Sequence, residues 1–225
     1  MAPETAANQP FKVKDCALIA LATGTRAYTL RELRDRLETV DASSIYYHVW
    51  GGLLRPRFDD PEYHNDFSSW AARSLHDNTL AERLSVVDPV EFPDMEALRQ
   101  EFIEVIEERL DESEYLQWAK AQAPFNFLTS QIVVFDTHRE LCDPSELARE
   151  IPNMSLGSIF YHFIDARRRT PENVDDFRYW LEGFDDEYAE LCALIATVDP
   201  YFPTLAELRD QLASLFSTYF GGTEK

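Results

Sequence analysis

Cys16-Ala17-Leu18-Ile19-Ala20-Leu21-Ala22 is seven apolar residues in a row, and the way it is read decides the fold class. A continuous apolar run of this length fits a buried helix or a short strand equally well, because periodicity alone does not separate the two. A second stretch, Gln131-Ile132-Val133-Val134-Phe135, is rich in β-branched and aromatic residues and carries the same ambiguity. Neither run has an evident strand partner nearby, so both are taken as helix. The fold expected is then all-α.

Outward from these runs the chain matches itself. Shifted by 114 positions, Phe11 falls on Phe125, Thr23 on Thr137, and Glu32-Leu33 on Glu146-Leu147. The same shift sets Ser44-Ile45-Tyr46-Tyr47-His48 on Ser158-Ile159-Phe160-Tyr161-His162. The offset then drops to 110, a loss of four residues between His48 and Pro61, and Asp66-Phe67-x-x-Trp70 meets Asp176-Phe177-x-x-Trp180. Val87-Asp88-Pro89 and Val198-Asp199-Pro200 follow. Colinear blocks of this kind imply a tandem duplication, with two pseudo-symmetric bundles of five to six helices. The expected divisions are a flexible N-terminus (1–10), unit one (11–112), a helical connector (113–124), unit two (125–220) and a short tail (221–225).

Local signals are helical. Thr29-x-x-Glu32, Asp143-Pro144-x-Glu146 and Thr204-x-x-Glu207 are capping-box patterns, in which each end satisfies the other's free N–H. Met95, Leu98, Phe102, Val105, Ile106 and Leu110 share one helical face, as do Leu205, Leu208, Leu212, Leu215, Phe216 and Tyr219.

Composition excludes several functions. Forty-one acids face 21 bases, a net charge of -20, and only Lys12, Lys14, Lys120 and Lys225 are lysine. The excess is even: 22 acids against 12 bases up to Glu112 and 19 against 9 beyond it, or -10 each. Phosphate backbones are bound by clustered cations, so direct nucleic-acid binding is not expected. Acidity reads first as a solubilising surface, and an acidic mimic of nucleic acid is a weaker alternative. Cys16, Cys142 and Cys192 are too far apart for a Cys-x-x-Cys pair and odd in number, which points to a reducing cytoplasm. Neither a signal peptide nor a membrane span is expected. Gly-rich phosphate loops, the Gly-x-Ser-x-Gly elbow, His-Glu-x-x-His and EF-hand loops are not found, and no cofactor is expected.

The candidate site is the Tyr-His block with the Asp-Phe-x-x-Trp block: Tyr47, His48, Asp66 and Trp70, and again Tyr161, His162, Asp176 and Trp180. A histidine among aromatics needs a partner for its N–H, and either aspartate can accept it. Two roles remain open. In one, the groups lock two helices together; in the other they line a pocket, with Arg55 or one of Arg167 and Arg168 as counter-charge. His64 and His76 add to the first copy, but their spacing matches no metal-ligand pattern, so no metal is expected. Trp50-Gly51-Gly52 is read as an apolar packing loop, with a hinge or contact surface as the alternative.

On these blocks the chain resembles a bacterial and archaeal domain family of unknown function. The resemblance rests on Thr23-Gly24, Thr29 to Leu33, Ser43 to His48, Asn65 to Phe67, Trp70 and Asp88-Pro89. The second copy departs with His138 for the glycine and Asp175 for the asparagine. It implies a tandem helical domain and no activity. The function expected is a non-enzymatic helical interaction or regulatory module with a protein partner, a homodimer being one form of it. The rival is a small-molecule binder or enzyme, of sugar metabolism for instance, acting through Tyr47, His48, Arg55 and Asp66.

Overall fold

The computed structural model describes residues 9–55 and 62–221. It overturns the all-α expectation. Two long strands, β1 (Phe11–Thr29) and β2 (Lys120–Leu141), pair as an antiparallel two-stranded sheet, so the chain is mixed α/β. The run Cys16–Ala22 lies within β1, and its partner is the strand containing the other ambiguous run, Gln131–Phe135. The helical reading failed because the pairing residues are more than a hundred positions apart in sequence. Alternation marks the strand ends: Phe11 and Val13 are buried around exposed Lys12, and Phe125 and Phe127 around exposed Asn126.

The tandem arrangement is also corrected. The compact units are not successive copies. A central unit spans Leu18–Gln131, and a discontinuous unit combines residues up to Ala17 with Ile132–Lys225. The divisions fall inside both strands, not at 112 and 125. At 19 and 22 residues each strand far exceeds the usual five or six, which lets one strand contribute to two cores. The stretch 113–124 is not a helical connector: Glu114–Gln117 form a single 3-10 turn and β2 begins at Lys120. The expectations for residues 1–8 and 222–225 lie outside the described residues.

In the central unit, α1 (Leu30–Leu37) starts where the Thr29 hydroxyl accepts from the Glu32 N–H. It is followed by α2 (Ala42–Trp50), α3 (Asp66–Trp70), α4 (Asn78–Ser85) and α5 (Met95–Asp111). The carboxylate of Asp94 caps α5 by accepting from Glu96 and Ala97, and Leu98, Phe102, Ile103, Ile106 and Leu110 are buried. Trp50, Gly51 and Gly52 are buried here too. In the discontinuous unit come α6 (Leu147–Glu150), α7 (Leu156–Ile159), α8 (Asp176–Leu181), α9 (Ala189–Ala196) and α10 (Leu205–Gly221). The Asp143–Glu146 and Thr204–Glu207 boxes close reciprocally ahead of α6 and α10.

One close approach is set by a glycine. A Cβ on Gly157 would lie 2.3 Å from the Cys16 carbonyl oxygen and 2.3 Å from a carboxylate oxygen of Asp15. The start of α7 therefore rests directly on the backbone of β1, and the Cys16 thiol donates to the Gly157 carbonyl. Among the described residues no helix is long and apolar enough to cross a membrane.

Candidate functional site: a histidine that clamps a strand

In the central unit, α2 carries Tyr47 and His48, and the first turn of α3 carries Asp66. Helix α3 begins at that point because Asn65 caps it, its side-chain oxygen accepting from the Ser68 N–H. The imidazole of His48 is 3% exposed. Its Nε2 accepts the backbone N–H of Leu128 on β2 at 2.9 Å. A nitrogen that accepts carries no proton, so the hydrogen is on Nδ1, which donates to Oδ2 of Asp66 at 2.8 Å. Both ring nitrogens are thereby committed. Phe125 and Phe67 pack around the ring, with centroids 4.6 and 5.5 Å away.

Arg55 closes the other side of the carboxylate with two bonds, 3.2 Å to Oδ1 and 2.7 Å to Oδ2 of Asp66, while its guanidinium lies 5.1 Å from the Tyr47 ring centre. The Trp70 indole N–H donates to the Ala123 carbonyl at 2.9 Å, a second tie onto β2. Electrostatics agree with a neutral ring. Burial pushes His48 below its ordinary value, against the opposing pull of Asp66. Burial would raise Asp66, but the bonds from His48 and Arg55 outweigh it and hold the carboxyl below the usual range.

The discontinuous unit holds the same arrangement on its own strand segment. His162 Nδ1 donates to Oδ2 of Asp176 at 2.7 Å, and its Nε2 accepts the Lys14 N–H at 2.8 Å. Trp180 donates to the Gln9 carbonyl at 3.0 Å, and Phe11 packs 4.8 Å from the His162 ring. The counter-charge is Arg169. It reaches Asp176 Oδ2 at 3.0 Å and the Asp165 carboxylate at 3.1 Å, and stacks 3.9 Å from the Tyr161 ring centre. Neither arginine expected in this role fills it: Arg168 pairs with Asp165 at 2.6 Å and Arg167 lies over Phe163. The missed residue had a signal in the sequence, since Arg55 carried 114 positions on falls on Arg169. The strand amides of Lys14 and Leu128 had none, because a main-chain donor leaves no mark on composition.

His64 is half-buried, and His76 is exposed in the left-handed region at φ 58°. Among the described residues no group of three or more His, Cys, Asp or Glu is placed to hold a metal ion. Chemically, the His–Asp–Arg set can hold a strand against two helices. A general base needs a free lone pair facing a substrate, and neither Nε2 offers one.

A chain in which this clamp is built twice belongs to a class that has been recognised by sequence without an assigned role: over residues 8–217 it is a member of a family of unknown function, DUF5752. Among solved structures it is similar to OrfY from Thermoproteus tenax, with a TM-score of 0.80 and 23% sequence identity, covering 93% of this chain and 95% of that one. At that identity the likeness is one of fold. No curated protein matches the chain.

Proposed function

We propose that this protein is a non-enzymatic interaction module that binds a protein partner through the exposed apolar stretches of its strands. One observation carries this reading. In a protein of net charge -20, Cys16–Thr25 and Ala121–Phe135 contain no charged residue. Within them Ile19 (49% exposed) and Leu21 face solvent in the central unit, and Val134 and Phe135 (49%) in the discontinuous unit. Exposed strands usually carry charges that discourage pairing, and these do not. In a two-stranded sheet each strand also has one edge unpaired by the other, the geometry that accepts an added strand. The commitment of both nitrogens of His48 and His162 supports a structural over a catalytic role for the conspicuous polar groups. A cytoplasmic location, in keeping with three free cysteines, is part of the proposal.

The test is co-purification from the native host with the wild type and with Ile19→Lys and Phe135→Lys. Both substitutions are at exposed positions, so melting should be unchanged and a partner held by the wild type should be lost. A catalytic activity in the isolated chain, with no partner recovered, sinks the proposal.

A further inference from the structure

The two clamps differ in what surrounds them. Beside His162 the discontinuous unit opens a cavity of about 320 Å³, whose wall includes Lys12, Lys14, Arg169, Tyr161, Tyr179 and Asp176. Three cationic residues and one carboxylate line it, in a chain that has only four lysines and 41 acids.

The lysines are not needed for the clamp. Leu128 makes in the central unit the bond to histidine that Lys14 makes here, and Asn126 stands between the two buried phenylalanines where Lys12 stands between Phe11 and Val13. Tyr179, just before Trp180, likewise has Ser69 as its counterpart before Trp70. The same hydrogen-bonded set is thus built with neutral residues in one unit and with two cations and a phenol in the other. The surplus chemistry lines the cavity.

These cations are also available. Lys12 meets Glu140 at 3.7 Å with both side chains more than half exposed, and Lys14 meets Asp136 at 3.0 Å with Asp136 half exposed. The Lys12 pair is wet on both sides and the Lys14 pair on its carboxylate side, Lys14 itself being 26% exposed, and pairs so placed contribute little, so an incoming anion can compete for the ammonium groups. Neither Asp136 nor Glu140 lines the cavity. Arg169 is pinned by Asp165 and Asp176 and sits over the Tyr161 ring, so a fixed cation and an aromatic ring share the cavity wall.

We propose that this cavity binds a small organic anion, an oxyanion group held by Lys12 and Lys14 with a flat or apolar body against Tyr161 and Tyr179. The proposal goes beyond the partner-binding reading and stands or falls separately from it, since it concerns a cavity in one unit and not the exposed strands.

Phenyl phosphate, with benzoate and inorganic phosphate as comparisons, is titrated into the full-length protein and followed by amide NMR at constant ionic strength. Saturable shifts confined to residues 9–14, Tyr161, Arg169 and Tyr179 are expected, with millimolar or tighter binding. Phenyl phosphate above benzoate identifies a phosphate ester as the natural ligand class, and the reverse order a carboxylate. The double variant Lys12→Asn with Lys14→Leu copies residues that the central unit already uses at the same clamp. It should melt as the wild type does and bind at least about tenfold more weakly. Shifts scattered over the surface, shifts that never saturate, or unchanged affinity in a folded double variant overturn the proposal.

Discussion

Replacing His48 by alanine removes one ring and strands two groups. The Leu128 N–H loses its acceptor in a part-buried setting, which costs about 1–3 kcal/mol, and Asp66 loses one of its donors while keeping Arg55. The space left against Phe125 and Phe67 adds about 2–4 kcal/mol, as for other ring-to-alanine changes in cores. Together these come to about 3–7 kcal/mol, the upper end being eased by any water that enters the gap, a large part of the stability of an ordinary domain. For a chain of this size that lowers the melting temperature by roughly 6–28 °C. Calorimetry of His48→Ala measures it, and hydrogen exchange at the Leu128 amide reports the clamp directly. If the variant melts within a few degrees of the wild type and that amide stays protected, the histidine is not holding the strand and the structural reading of the site is wrong.

The same histidine sets a pH dependence. Because burial holds His48 below its ordinary 6.5, the unfolded chain takes up a proton there that the folded chain refuses once the pH falls below that value. The stabilisation is complete above it and declines on acidification, by up to about 1.4 kcal/mol per pH unit, until the folded-state value is passed. Urea midpoints should fall between neutral and mildly acid pH, and His48→Gln should flatten the slope; equal slopes in the two proteins refute the assignment. Gly157→Ala drives a methyl into the Cys16 carbonyl and should destabilise the discontinuous unit by about 3 kcal/mol or more, read as a lower denaturation midpoint. Arg169→Ala takes one partner each from buried Asp165 and part-buried Asp176 and should cost about 2–3 kcal/mol, whereas Arg168→Ala, which leaves Arg169 on Asp165, should cost under about 1 kcal/mol. Equal losses in a thermal melt would count against the arrangement around Asp176.

What the sequence made legible was local. Thr29, Asp143 and Thr204 cap helices because a hydroxyl or carboxylate three residues before a glutamate acts over a single turn. The pairing of His48 with Asp66 and of His162 with Asp176 could be inferred because a histidine among aromatics needs an acceptor and each block had one nearby. The strands were hidden because their pairing is not local. Thr23 donates to the carbonyl of Phe127 and Thr137 to that of Val13, spans of 104 and 124 residues that no window along the chain brings together. A further sign was misread as a departure from pattern: His138, standing where the first half has Gly24, adopts the same left-handed conformation, at φ 58° against 79°. Such a position tolerates a histidine at some cost, so an expectation built on glycine alone passes over it.

The division of each strand between two cores governs the order in which the molecule can be made. The central unit is one uninterrupted stretch, Leu18–Gln131, and has all its parts once that stretch has left the ribosome. Phe11 emerges earlier still, yet the ring and helix that pack on it, His162 and α8, come about 150 to 170 residues later. At synthesis rates of about 5–20 residues per second, that is a wait of roughly 8–34 s with a large apolar side chain uncovered. During that interval the nascent segment carrying Phe11 exposes the kind of apolar surface that makes incomplete chains prone to aggregate.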